Sequence, residues 1–253
     1  MKKLQGFSIA ATISTLLIIA LTSIVVFLVI DGNNKSTDYN NYDLNSVIAP
    51  NEHNGNIEEH VKGNPNAPVI IVEYADFQCE YCAMMNTRIN KIVEESDGKL
   101  AVVYRNFLLS YHQNGTAAAS AAEAAGLQGY WKAYADKLFS EQSSWAYASP
   151  SERTTLFNQY FLEVTDNKGD LDKFNEDISS PAVSQKISFD IGIAKHIKVG
   201  GTPAFYIDGQ FIDFGNKNGG AVTVNGNEVK WDKTMSGDDF NKLIKDIVEA
   251  KLK

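Results

Sequence analysis

Hydrophobic and polar positions change period several times along this chain. Phe7 to Ile30 is apolar throughout and carries no charge. Residues 31–56, DGNNKSTDYNNYDLNSVIAPNEHNGN, show no period. After the turn signal Asn64-Pro65-Asn66-Ala67-Pro68, Val69 to Val72 is a short apolar run, the pattern of a strand covered on both faces. Alternation puts Glu73 on the face of Ile71 and Ala75. The chain then passes through Asp76-Phe77-Gln78 to Cys79-Glu80-Tyr81-Cys82, and the period changes. Cys82, Met85, Ile89 and Ile92 share one face of a 3.6-residue repeat, so a helix follows and stops near Asp97-Gly98. Leu100 to Phe107 is the next strand. Strand, helix and strand form a right-handed unit with the cysteines at the C-terminal edge of the sheet, where α/β folds place their sites.

Residues 108–199 have helical periods almost throughout. Thr116 to Ala125 is alanine-rich and ends at Gly126. Tyr130 to Phe139 is amphipathic and aromatic. Ser149-Pro150 starts a helix through Val164, Asp170 to Ile178 adds a short one, and Ser180-Pro181 opens another with Val183, Ile187, Ile191 and Ala194 on one face. This block is too long for a crossover helix and predicts a subdomain capping the sheet. Beyond Gly200-Gly201 come Thr202-Pro203 and two hairpin signals. One joins Ala204–Ile207 to Gln210–Ile212 through Asp208-Gly209, the other joins Val222–Val224 to Asn227–Trp231 through Asn225-Gly226. A last helix buries Phe240, Leu243, Ile244, Ile247 and Val248.

The 253 residues are 44% hydrophobic and carry a net charge of −8, with no Lys/Arg block, which argues against a nucleic-acid surface. At 1.5 Å per residue Phe7–Ile30 reaches about 36 Å as a helix, enough to span a bilayer. Lys2 and Lys3 precede it, so the N-terminus is expected in the cytoplasm and the remainder outside. The run is longer than a signal-peptide core and its end lacks an A-x-A-like cleavage site, which favours an uncleaved anchor. The expected organisation is residues 1–30 as cytoplasmic N-terminus and anchor, 31–56 as a flexible polar linker, and 57–253 as the folded domain. His53 and His60 are expected to be solvated.

Cys79 and Cys82 are the chain's two cysteines. A structural zinc site takes four ligands, and the four histidines lack the H-x3-5-H spacing, so no metal is expected. A disulfide across two residues closes too short a loop to stabilise much. A redox-active dithiol remains. Cys82 lies on the buried stripe. Cys79 sits one turn earlier, at the open helix N-terminus, where unpaired amides favour a thiolate. Cys79 is therefore the expected exposed nucleophile and Cys82 its sheltered partner.

Taken in order, these features resemble the DsbA-like branch of the thioredoxin superfamily over residues 57–253, apart from Phe214–Met235. They are the acid Glu73 six residues before Cys79, the C-x-x-C opening a helix, the helical insertion with Gly129-Tyr-Trp-Lys-Ala-Tyr-Ala-Asp-Lys-Leu-Phe139, and Gly201-Thr202-Pro203 before a hairpin and a closing helix. The fold implied is α/β, thioredoxin-like, with a helical insertion subdomain over 108–199 and one preceding transmembrane helix. The resemblance implies that Cys79 forms the mixed disulfide and Cys82 resolves it. Pro203 would be cis beside Cys79, Thr202 would bind a substrate strand, and Glu73 would exchange protons with Cys82 through water. The Glu80-Tyr81 dipeptide departs from the Pro-His of strongly oxidising relatives. A carboxylate at Glu80 opposes a neighbouring thiolate, so Glu80 and Tyr81 are expected to tune Cys79 upward and make a weaker oxidant.

The function implied is extracytoplasmic thiol-disulfide exchange between the Cys79–Cys82 disulfide and thiols of secreted or cell-envelope proteins, with no other cofactor. A membrane partner would reset the dithiol. Reduction or isomerisation uses the same residues, and a chaperone-like or copper(I)-delivery module is the alternative outside enzymology.

Overall fold

The computed structural model describes residues 37–215, 218–231 and 237–253. The expected transmembrane run Phe7–Ile30 lies outside them, and among the described residues no helix is long and apolar enough to cross a membrane. The body described below runs from Tyr39 to Lys253.

In chain order the elements are β1 (His60–Gly63), β2 (Val69–Ala75), α1 (Glu80–Glu95), β3 (Leu100–Asn106), α2 (Gly115–Gly126), α3 (Trp131–Ser140), α4 (Gln142–Trp145), α5 (Pro150–Val164), α6 (Leu171–Asp177), α7 (Pro181–His196), β4 (Ala204–Ile207), β5 (Gln210–Phe211), β6 (Gly220–Val224), β7 (Asn227–Trp231) and α8 (Gly237–Lys251). The main sheet has the order β1-β3-β2-β4-β5. β2 and β3 are parallel and central, with Glu73 beside Tyr104, while β4 runs antiparallel to β2 with Phe205 beside Glu73. Both expected hairpins form, and Asp208-Gly209 and Asn225-Gly226 each carry positive φ at both turn residues, as a two-residue turn of right-twisted strands requires.

Each sheet face has its own core. Val69, Ile71, Val102 and Phe205 pack under α1 and α8, where Ile89, Ile92, Phe240 and Leu243 meet them. Burying each such side chain contributes about 1.5–3 kcal/mol. Val72, Tyr74 and Val103 pack under Phe189 and Ile193 of α7. The insertion, α2 to α7, builds a further core around Phe77, Cys82 and Tyr104 with Trp131, Tyr134, Phe161 and Phe174. Ser149 and Ser180 cap α5 and α7 as the sequence predicts, with Ser149 and Glu152 completing a capping box.

Two expectations are corrected. The linker expected over 31–56 is folded from Tyr39 onward. Tyr39 and Tyr42 pack on Phe189, Ile48 is buried, and Asn51 caps a short turn at Glu52–Asn54 that rests on α7. Its Asn- and Asp-rich composition is turn chemistry. The buried Arg105 holds the segment down by donating to the carbonyls of Leu44 and Ser46 at 2.7 and 2.9 Å. His60 is not solvated: it is buried on β1, stacked on Trp131 at 4.3 Å, and meets Glu123 at 2.6 Å. β1 itself went unseen because its inward positions are polar, His60 and Lys62.

Candidate active site

β2 ends at Ala75, and Asp76 to Cys79 form the loop that carries the chain onto α1. Cys79 is the N-cap of α1, with extended backbone angles of −75° and 119°. Its amide donates to the Asp76 carbonyl at 3.0 Å, and its carbonyl accepts the amide of Ala83 at 3.1 Å. Asp76 shapes the loop: one carboxylate oxygen accepts the Gln78 amide at 2.8 Å. The other meets the Leu109 amide and His112 Nδ1, both at 2.8 Å. Across the site the Thr202–Pro203 peptide is cis, and the Cys79 thiol donates to the Thr202 carbonyl at 3.5 Å.

Both cysteines are unbridged. Cys79 is only 5% exposed and Cys82 not at all, so the open sulfur expected at Cys79 is in fact largely covered. What separates the two is electrostatics. The Cys79 thiol is lowered to about 6, chiefly by the hydrogen bond from Cys82, with Thr202 and the amides of Cys82 and Tyr81 adding to it against the opposing effect of burial. Burial pushes the Cys82 thiol well up, and the neighbouring Cys79 and the charge of Glu73 push the same way.

Glu73 is buried, 1% exposed. One of its oxygens lies 3.4 Å from Lys62 Nζ and the other has no protein partner. Lys62 also donates to Asn86 at 2.8 Å, one helical turn beyond Cys82. Glu80, by contrast, points into solvent. Its exposed carboxylate is screened by water, while the Cys79 thiol is lowered, chiefly by the hydrogen bond from Cys82. Tyr81 acts on Cys79 through its amide, while its ring is 67% exposed. That ring lines a groove of ≈ 350 Å³ with Met84, Met85, Pro203, Phe211 and Phe214. Among the described residues no three His, Cys, Asp or Glu side chains converge to hold a metal.

Sequence reasoning missed a set of buried amides tying the cysteine loop to the helical layer. Gln78 donates to the Ala146 carbonyl at 2.7 Å and accepts the Asn114 amide at 2.6 Å. Gln142 donates to the carbonyls of Phe77 and Cys79 at 2.7 and 3.0 Å. The Asn114 side chain donates to the carbonyls of Trp145, Ala146 and Ala148 at 3.0–3.2 Å. No spacing signals such contacts, because an Asn or Gln suits turns and surfaces equally well.

Comparison with known proteins bears on this geometry. The curated relatives include the Na(+)/H(+) antiporter NhaA 3 of Salinispora tropica, 31% identical over 154 residues. That match covers 60% of this chain and 22% of the antiporter, so the chain spans under a quarter of that relative's length. Among solved structures, Wolbachia pipientis alpha-DsbA1 superposes with a TM-score of 0.55 at 23% identity, over 77% of this chain and 92% of the other. BdbD from Bacillus subtilis, in its oxidised form, gives 0.55 at 17% identity, over 82% and 98%. These likenesses show a shared fold. A family model described as Thioredoxin matches residues 55–246, which takes in the C-x-x-C helix, the helical insertion and the cis-proline loop, and the chain belongs to that family.

Proposed function

We propose that this protein is a thiol-disulfide oxidoreductase of the DsbA-like kind, working outside the cytoplasm as a disulfide donor to secreted or cell-envelope proteins. The observation that carries the reading is the pair of neighbouring thiols at the start of α1 beside the cis Thr202–Pro203 peptide, Cys79 lowered to about 6 and Cys82 pushed up. In the donor direction a client thiolate attacks Cys79 Sγ. The Cys79–Cys82 bond breaks, and Cys82 leaves with the electron pair. A thiolate of high pKa is a poor leaving group, so Cys82 needs a proton, and Glu73, with a buried oxygen unpartnered by protein, relays one to it from water. A second client thiolate then attacks the client sulfur of the mixed disulfide. Cys79 leaves readily as a thiolate, the client holds a new disulfide, and the enzyme is left as a dithiol.

Redox poise follows from the same pair. Thioredoxin's reactive cysteine has a pKa of about 7 and DsbA's about 3.5. A value of about 6 supports reading this protein as an oxidant weaker than DsbA. The apolar groove of Tyr81, Met84, Phe211 and Phe214 beside Pro203 suits an extended client segment, with Thr202 offering its backbone. A membrane redox partner reoxidises the dithiol, and Phe7–Ile30 anchors the chain.

Trapping tests the reading. Cys82→Ser leaves mixed disulfides unresolved, so clients accumulate on Cys79, whereas Cys79→Ser traps few. Equal trapping by the two variants overturns the assignment. An equilibrium titration of the wild-type pair against glutathione fixes the direction: a potential as low as thioredoxin's, about −270 mV, would turn the donor into a reductase.

A further inference from the structure

The exchange reaction needs two thiols, a proton source and a docking groove; it does not by itself call for the amide clamp on the cysteine loop. Gln142 is the centre of that clamp. It lies on the short helix α4 of the insertion and is 8% exposed. A side-chain amide has two hydrogens. Gln142 directs them to two backbone carbonyls of the loop, Phe77 at 2.7 Å and Cys79 at 3.0 Å. The residue between them, Gln78, is tied to the same part of the insertion through the Ala146 carbonyl and the Asn114 amide.

We propose that Gln142 is a positioning residue for Cys79, its amide holding the loop in the one geometry that stabilises the Cys79 thiolate. The proposal rests on the thiol-disulfide reading above and deepens it. The Cys79 carbonyl that Gln142 grips is also the acceptor of the first α1 hydrogen bond, from Ala83 at 3.1 Å. Gripping it sets the tilt of the N-cap peptide, and with it the aim of the Tyr81 and Cys82 amides at Sγ. Gln142 carries no charge. Its amide hydrogens go to the loop carbonyls, so it acts on the thiol by placing the loop. Without it two buried carbonyls lose a donor, and the loop moves to find replacements. The insertion thus serves the chemistry directly as well as capping the sheet.

The test uses the full chain in a mild detergent and reads the rate of alkylation of reduced Cys79 against pH. The wild type is expected to show a midpoint near 6. Gln142→Met keeps the length and removes both donors. Its midpoint is expected to rise by about one unit, cutting the thiolate present at pH 6 from half to roughly a tenth. Ser149→Ala, which strips the cap of α5 in the same layer, controls for lost stability and leaves the midpoint in place. A Gln142→Met variant that melts earlier with an unmoved midpoint shows that Gln142 is only a brace and overturns the proposal. Should that variant fail to fold, the wild type decides: the Gln142 side-chain amide resonances follow the Cys79 titration if the amide is coupled to it, and their indifference to pH overturns the proposal. A wild type whose Cys79 titrates like an ordinary thiol and ignores glutathione sinks the broader reading instead, whatever the variant does.

Discussion

Glu59 and Glu73 are both buried glutamates, and they are treated in opposite ways. Glu59 is fully satisfied. Arg105 meets both its oxygens at 2.9 and 3.0 Å, the Ile48 amide donates to it at 3.3 Å, and Lys186 stands 3.6 Å away. The cluster continues without a break. Lys186 pairs with Asp190 at 2.6 Å, Asn106 bridges Asp190 and Glu123 at 3.0 and 2.7 Å, and His60 closes on Glu123. Glu73 has one long contact to Lys62 and one oxygen with no protein partner. A satisfied buried carboxylate holds elements together. One left short of partners keeps a free acceptor for water and protons, and it stands beside the thiol that must gain and lose one.

The comparison breaks most visibly at Arg105. Arg105→Leu strands Glu59 in the interior, and the expected loss is about 3–5 kcal/mol in denaturant unfolding, with the Cys79 alkylation midpoint of the folded fraction unchanged. A loss under about 1 kcal/mol would mean that Glu59 is no better held than Glu73.

The cysteine end should dominate pH dependence near neutrality. Cys79 has a folded pKa of about 6 against an ordinary 9.0, so its contribution to the reduced protein is fully present above the ordinary value and lost as pH falls through 6. Between these limits the stability of reduced protein relative to oxidised should change by about 1.4 kcal/mol per pH unit, less whatever solvent screening removes. Cys82 adds nothing over most of that window, since it stays a thiol in both states. Melting the two redox forms side by side from pH 5 to 9 measures it, and parallel curves would contradict the low Cys79 value. The cluster behaves differently. Glu59 and Glu123 are held low, because Arg105, Lys186 and His60 outweigh the effect of burial, so their contribution disappears only in acid.

Glu73→Gln sharpens the contrast from the other side. Stability should fall less than in Arg105→Leu, because Lys62 keeps Asn86 when it loses the carboxylate at 3.4 Å, while exchange through the Cys79 mixed disulfide slows by about a hundredfold, the low end of general acid–base contributions. Stopped-flow exchange with a model dithiol reads it; an unchanged rate removes Glu73 from the mechanism. The smallest effect belongs to Glu80. Glu80→Gln should shift the Cys79 midpoint by roughly 0.3 of a unit or less, because the side chain faces water and salt.

Much of this could be read before any coordinates. Periodicity placed β2, α1, β3, the helical insertion, both hairpins and α8, because each buries an apolar stripe or face that its own residues announce. The cysteine pair was legible for a related reason: two thiols on successive turns at a helix start have few other uses. β1 stayed hidden because its buried positions are His60 and Lys62, whose burial depends on Glu123 far along the chain and on Glu73 of the next strand. The segment from Tyr39 looked like a tether because the groups that hold it, Arg105 and Phe189, belong to other elements.

The chain alone therefore determined the order of the apolar elements, the position of the insertion and the place of the cysteine pair at the start of α1, since these rest on local spacing and on apolar burial that any compact fold must satisfy. Tertiary structure decided the rest. It set which buried carboxylate is paired and which is short of partners, turned Glu80 to solvent, and closed Gln142 onto the carbonyl of Cys79. Hydrogen bonds and desolvation depend on distances of a few ångströms between residues dozens of positions apart, and no one-dimensional period records those distances.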